Sequence, residues 1–325
     1  MKGYSVQDRD AWMGAAFDRL RRAQFGVADV VRRAQANALG LIGFNPSECR
    51  YQVIRSTAHW CLRDYADAGH NGCPALLIVA APIKRPYIWD LTPSVSVIRY
   101  CLRQHWHVYL LEWMPASQRT GNSGLDECVE AISECVAVVS AKTAGTTPFL
   151  AGHSLGGTLA AIFSASEPES IRGLVLLSSP LCFQPNGYQF RDALVSLVPP
   201  NLSDTEPFPG SLLSHMSALA SPDTFVWSRL TDAMLSAADT HAMEIHALIE
   251  RWALDEVPLP GRLVHQIIQW LYREDRLCRG ALKIGKTVVG PSRLSAPTLA
   301  IVNTDDAVAP AASVKPFVEA MPTAD

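Results

Sequence analysis

The sequence predicts an α/β protein with a mainly parallel sheet and helices on both faces. Three observations predict it: short continuous apolar runs recur along the middle of the chain, amphipathic helical patterns separate them, and the two alternate regularly. In the 325 residues, 48% are apolar and 18% charged, so a sizeable core can form. That length suits one large domain with an insertion, or two small domains.

Residues 8–39 read as an amphipathic helix, with Trp12, Phe17, Leu20, Val27, Val30 and Val31 recurring among charged residues. Asn45-Pro46 ends it. Residues 51–65 mix polar and apolar positions and suggest an antiparallel lead-in pair of strands. Ala75–Ala80, after Pro74, reads as a strand buried on both faces. Helix follows over 95–104, then a second buried strand over 108–113. A helix over 125–142, starting near Asn122 or Ser123, leads to a third strand at 148–151. Helix 158–166 and a fourth strand at 174–177 complete the run. From 184 to 293 the pattern changes to helical segments between Pro-rich turns at Pro199-Pro200, 207–210 and 258–261, which predicts an inserted helical cap. Strand character returns at 298–302, with Asp305-Asp306 after it and a helix from about Ala311. The expected division is therefore 1–70 as N-terminal helix and lead-in strands, 71–183 with 294–325 as core, and 184–293 as cap.

Gly152-His153-Ser154-Leu155-Gly156-Gly157 sits between a buried strand and a helix. Gly-x-Ser-x-Gly in that setting predicts a nucleophile elbow, and with it an α/β-hydrolase fold. The turn is sharp, so the flanking positions must lack side chains, and the helix start behind the serine offers backbone N–H groups to an oxyanion. A Gly-rich structural turn is the bland alternative. A phosphate loop fits poorly, because no Lys follows the glycines. Ser154 is thus the candidate nucleophile, and Leu155 supplies one oxyanion donor. The second donor comes from the loop Ala80-Ala81-Pro82-Ile83. Proline has no N–H, which leaves Ala81 or Ile83, and Ile83 is preferred. The acid follows a later strand, so Asp306 is preferred, in Asp-x-Val-x-Pro, with Asp305 as the alternative and a helix-capping role as the bland reading of either.

The base is expected beyond the acid, and no histidine follows His265, so the catalytic histidine is expected to lie past residue 325. His215 or His265 reaching in from the cap is a weaker option. His153 reads as a packing residue. His241 and His246, five apart, do not suit one metal on one helix face, so neither a metal nor a cofactor is expected.

The net charge of −3 argues against nucleic acid as a partner. No run of 18 apolar residues predicts a membrane span, and no signal peptide is seen. The eight cysteines contain no Cys-x-x-Cys and read as reduced core thiols in a cytoplasmic protein. Trp227, Trp252, Trp270 and Tyr272 suggest an acyl-binding pocket in the cap, with ordinary helix packing as the alternative for each.

Several stretches then resemble polyhydroxyalkanoate synthases. They are Asn45-Pro46-Ser47, Leu77-Ile78-Val79, Arg85-Pro86-Tyr87-Ile88-Trp89-Asp90-Leu91 with Pro93, Ser96-Val97-Ile98-Arg99, and Leu125-Asp126-Glu127-Cys128-Val129. In the cap, Trp252, Asp255, Leu259-Pro260-Gly261, Leu271-Tyr272 and Leu277 add to it. The likeness runs from about residue 42 to the end and is greatest to the shorter two-subunit synthases. Two departures stand out: those enzymes carry Cys where this chain has Ser154, and tend to carry Asp-Phe where it has Cys182-Phe183. The resemblance implies an α/β-hydrolase fold, acyl chemistry and 3-hydroxyacyl substrates. The expected function is a serine acyl hydrolase acting on an ester or acyl-CoA-type thioester through Ser-His-Asp. The alternatives are a synthase-like acyltransferase, or a catalytically silent granule or scaffold protein of this fold. A homodimer or a partner subunit is left open.

Overall fold

The structure is a computed structural model that describes residues 6–65, 72–116, 122–198 and 204–322, with side chains from residue 23 onward. The side chains of Trp12, Phe17 and Leu20 and the turn Pro199-Pro200 lie outside the described residues.

Seven strands form one sheet. They are β1 (Gln52–Ser56), β2 (Trp60–Asp64), β3 (Ala75–Val79), β4 (His107–Trp113), β5 (Phe149–His153), β6 (Gly173–Leu177) and, last in the chain, β9 (Thr298–Ile301). Their order is β1-β2-β4-β3-β5-β6-β9. The pairs β1–β2 and β2–β4 are antiparallel, and all pairs from β4 to β9 are parallel. A short antiparallel hairpin, β7 (Leu282–Ile284) and β8 (Thr287–Val289), stands apart.

Helices α1 (Val6–Leu41), α2 (Val97–Arg103), α3 (Leu125–Lys142) and α4 (Leu155–Ser166) precede or connect these strands. Between β6 and β9 the chain forms α5 (Gln189–Leu197), α6 (Gly210–Ala220), α7 (Ser228–Ser236), α8 (Thr240–Leu254) and α9 (Gly261–Gln266); α10 (Lys315–Glu319) follows β9.

Alternation along β3 explains its unbroken apolar run. Leu77 and Val79 face α3 and α4, whereas Leu76 and Ile78 face Ile98 of α2, so neither face tolerates a polar residue. Helix α3 begins at Leu125 as expected, and its N-cap is Gly124, one residue past Ser123 and two past Asn122, because Glu127 reaches back to the Gly124 N–H at 2.7 Å and Gln266 accepts from the Leu125 N–H.

The first helix is displaced from the sheet. Asp29 accepts from the Ser211 N–H at 2.7 Å and the Gly210 N–H at 3.2 Å, capping α6. Ser211 donates to the Phe25 carbonyl, and Arg251 of α8 donates to the Ala36 carbonyl. Residues 25–36 are therefore tied to helices of the β6–β9 segment.

The cysteine expectation needs correction. Cys182 and Cys278 are joined in a disulfide that spans 96 residues, while Cys61, Cys128 and Cys135 are buried thiols. The two partners look alike in sequence to any other isolated cysteine; only the return of the chain after α9 to the exit of β6 brings them together.

Candidate active site

Ser154 stands between β5 and α4 with φ 52° and ψ −131°, a left-handed backbone for a residue with a Cβ. Its N–H donates to the Leu177 carbonyl at 3.0 Å, which anchors the turn on β6. The neighbouring glycines are forced by close approach. A Cβ on Gly152 would lie 2.5 Å from Gly157 Cα, and one on Gly156 would lie 2.9 Å from both the Ala80 carbonyl carbon and the Ala81 nitrogen. The elbow is thus wedged against the end of β3, where the second oxyanion donor is expected.

Of that loop, the Ala81 nitrogen lies against Gly156, and the Ile83 side chain is half-buried beside the apolar cluster of α5 and α6. Trp113 Nε1 donates to the Ala80 carbonyl at 2.7 Å and turns that oxygen away from solvent. A shallow cleft adjoins the loop; Pro82, Trp113, Cys128, Pro258, Leu259 and Leu263 line it, and Glu127 and Ser123 lie on its polar side.

Asp306 follows β9. Its Oδ1 accepts from the Val308 N–H at 2.8 Å and the Ala309 N–H at 2.9 Å, which fixes the carboxylate's orientation. Asp305 is exposed and donates its N–H to the Asn303 side chain. The sheet brings these parts together: β5, β6 and β9 are neighbours, with His153 opposite Leu177 and Leu177 opposite Ile301.

His153 is coupled to this acid. Desolvation lowers its pKa from 6.5, and the Asp306 charge opposes that shift. Strand alternation puts His153 with Phe149 and Ala151 on the α2 face, whereas Leu150 faces α3 and α4. His215 packs on Phe25 of α1 with the rings tilted and their centroids 5.5 Å apart. The described residues hold no cluster of His, Cys, Asp or Glu fit for a metal.

The four aromatic residues expected to form an acyl pocket do not come together. Trp227 is 60% exposed. Trp252 donates to the Arg85 carbonyl at 2.8 Å, while Trp270 and Tyr272 pack on the core. The motif residues from Arg85 to Leu91 are architectural: fully buried Asp90 accepts from Arg99 at 3.2 Å and from the Cys49 N–H, and Tyr87 and Leu91 pack with Leu248 and Trp252. They hold the loop beyond β3 to α2 and α8.

Comparison with known proteins adds the following. A family model described as alpha/beta hydrolase fold matches residues 86–323. The chain is 28% identical over 254 residues to the poly(3-hydroxyalkanoate) polymerase subunit PhaC of Haloferax mediterranei, covering 77% of this chain and 52% of that one. The PhaC subunit of Synechocystis is 23% identical over 283 residues, covering 84% and 74%. The chain spans about half the length of the Haloferax and Haloarcula relatives, at 52% and 54%. Among solved structures, the carboxylesterase CesB of Bacillus subtilis aligns at 13% identity with a TM-score of 0.49, covering 92% of this chain and 88% of that one. A monoacylglycerol lipase of Paleococcus ferrophilus aligns at 18% identity with a TM-score of 0.45, covering 77% and 82%.

Proposed function

The chain belongs to the α/β-hydrolase fold family, and on that premise we propose that it is a serine acyl hydrolase acting on a carboxylic ester or a hydroxyacyl thioester. The observation that carries this reading is Ser154 itself, held at positive φ where a strand turns into a helix. In the proposed mechanism Ser154 Oγ attacks the acyl carbon, and the N–H groups of Leu155 and Ile83 receive the developing oxyanion, with Ala81 as the alternative second donor. Asp306 orients the imidazole that takes the serine proton and returns it to the leaving group. A histidine past residue 325 is the proposed source of that imidazole, with His215, His265 or His153 as the alternatives among the described residues.

No metal or cofactor enters this mechanism. No helix among the described residues is long and apolar enough to cross a membrane, and a cytoplasmic setting belongs to the proposal. Reducing conditions there would open Cys182–Cys278.

The identity to polymerase subunits favours a second reading, transfer of the acyl group to another hydroxyl. Nucleophile chemistry separates the two. A cysteine holds the growing chain as a thioester, from which transfer to a hydroxyl is downhill. Ser154 would hold it as an oxyester, so that transfer is close to thermoneutral, and water in excess takes the acyl group. The test supplies 3-hydroxybutyryl-CoA and follows free CoA, hydroxy acid and polymer. Hydroxy acid matching CoA supports hydrolysis; polymer matching CoA moves the chain to the acyltransferases. Failure of Ser154 to take a fluorophosphonate label would leave a silent protein of this fold.

A further inference from the structure

We infer that Lys84 and Glu256 form a positioning pair that locks the loop carrying Ile83 to the inserted helices and to α1. The inference rests on the reading of that loop as an oxyanion donor. Lys84 directly follows Ile83. Its ammonium lies 3.3 Å from Glu256 Oε1 and donates to the Ala253 carbonyl, and the two residues also share an isolated antiparallel β-bridge. Glu256 is 2% exposed, and its Oε1 also meets Arg32 of α1 at 3.0 Å. Arg32 donates in turn to the Ala253 carbonyl at 3.3 Å. A single carboxylate oxygen thus joins three pieces distant in sequence: α1, the loop after β3 and the turn after α8.

The surroundings reinforce the lock. Trp252 donates to the Arg85 carbonyl, and the Arg85 guanidinium lies 3.9 Å from Asp255 and 3.8 Å from Glu112. The remaining charge facing Lys84 is Arg229 of α7, itself paired with Glu250 of α8. An exposed pair would contribute little, but here removing Glu256 leaves two cations side by side, and removing Lys84 leaves Glu256 with Arg32 alone and frees the loop. Glu256 Oε2 is already buried without a hydrogen-bond partner among the described residues.

Burial lowers the Lys84 pKa from 10.5 to about 8 against the pull of Glu256, with Arg32 and Arg229 adding to the lowering. The ion pair is therefore complete below about pH 8 and fades above it. The stability effect has the opposite sign. The unfolded chain keeps the Lys84 proton to a higher pH than the folded one, so stability from this group rises between about pH 8 and 10.5. Lost turnover in that window then reports on the loop, since Lys84 does not favour unfolding there.

The test uses the full chain and the variants Lys84→Arg, Lys84→Met and Glu256→Gln. Two readings are taken: turnover of an activated ester across the alkaline range, and deuterium uptake by the 80–86 backbone at neutral pH. Wild type is expected to lose kcat about tenfold with a midpoint near pH 8 and an unchanged KM. Lys84→Arg keeps its charge and abolishes that limb. Lys84→Met and Glu256→Gln lower kcat about tenfold at neutral pH and raise uptake over 80–86. Uptake at the wild-type level in both neutralising variants, or a midpoint near 8 retained by Lys84→Arg, overturns the inference. If wild-type Ser154 takes no fluorophosphonate label, the hydrolase reading fails, while uptake over 80–86 still decides the pair.

Discussion

Gly156 packs directly against the carbonyl of Val79, so the turn that carries Ser154 and the strand end that carries the oxyanion loop share one surface with no room for a methyl group. Gly156→Ala must push the two apart. We expect a stability loss of about 1–3 kcal/mol, the usual size for overpacking. Turnover should fall about a hundredfold, because the donors no longer point at the oxyanion. Denaturant unfolding and steady-state kinetics on the variant check both, and wild-type kcat would show that the elbow and the loop are not coupled.

Asp306→Asn separates two roles of one side chain. Asparagine Oδ1 still accepts from Val308 and Ala309, so stability should move by no more than ~0.5 kcal/mol. The wrong imidazole tautomer should cost kcat up to about 10⁴-fold. Asp305→Asn, at an exposed position, should change kcat less than about twofold. The reverse ranking would move the acid to Asp305.

His153→Ala asks where the base comes from. Strand alternation places His153, the last residue of β5, on the α2 face of the sheet, and desolvation lowers its pKa against the pull of Asp306. Its loss should leave the fluorophosphonate labelling rate of Ser154 within about threefold. A fall of about 10³ or more would make His153 the base itself.

Cys182 and Cys278 predict a redox-dependent stability. Closing a loop of 96 residues restricts the unfolded chain, worth about 3–5 kcal/mol in the chain-entropy view. Replacing both by Ser should lower the urea midpoint of the oxidised protein and leave that of the reduced protein in place. Equal midpoints with and without reductant would show that the bridge does not form in solution.

Legibility in the sequence followed burial. Strands β3, β4 and β6 are covered on both faces, so their apolar runs mark them within a residue or two of their ends. Helix α3 matches its expected span, because its buried positions Cys128, Ile132, Cys135 and Val139 keep strict helical spacing. The hairpin β7–β8 was illegible: each strand has three residues, and Lys283 and Val288 are exposed. In the candidate site, Ser154 and Asp306 could be read from local turn chemistry. Long-range features could not. The link of Lys84 to Glu256 and the coupling of His153 to Asp306 depend on which strands become neighbours, and a one-dimensional pattern does not carry that.

The docking of α1 also has a consequence for how the chain is made. Asp29 leaves the ribosome 182 residues before its partner Ser211. At typical synthesis rates that gap lasts roughly 10–35 s. Throughout that time α1 has neither α6 nor α8 to rest on, so Phe25 and Ala36 stay uncovered, next to valines at 27, 30 and 31 that remain exposed even in the folded chain. A nascent-chain factor that shields the opening helix until α6 and α8 emerge would raise the yield of folded protein. A version of the gene rearranged so that α1 is translated after α8 would remove that need.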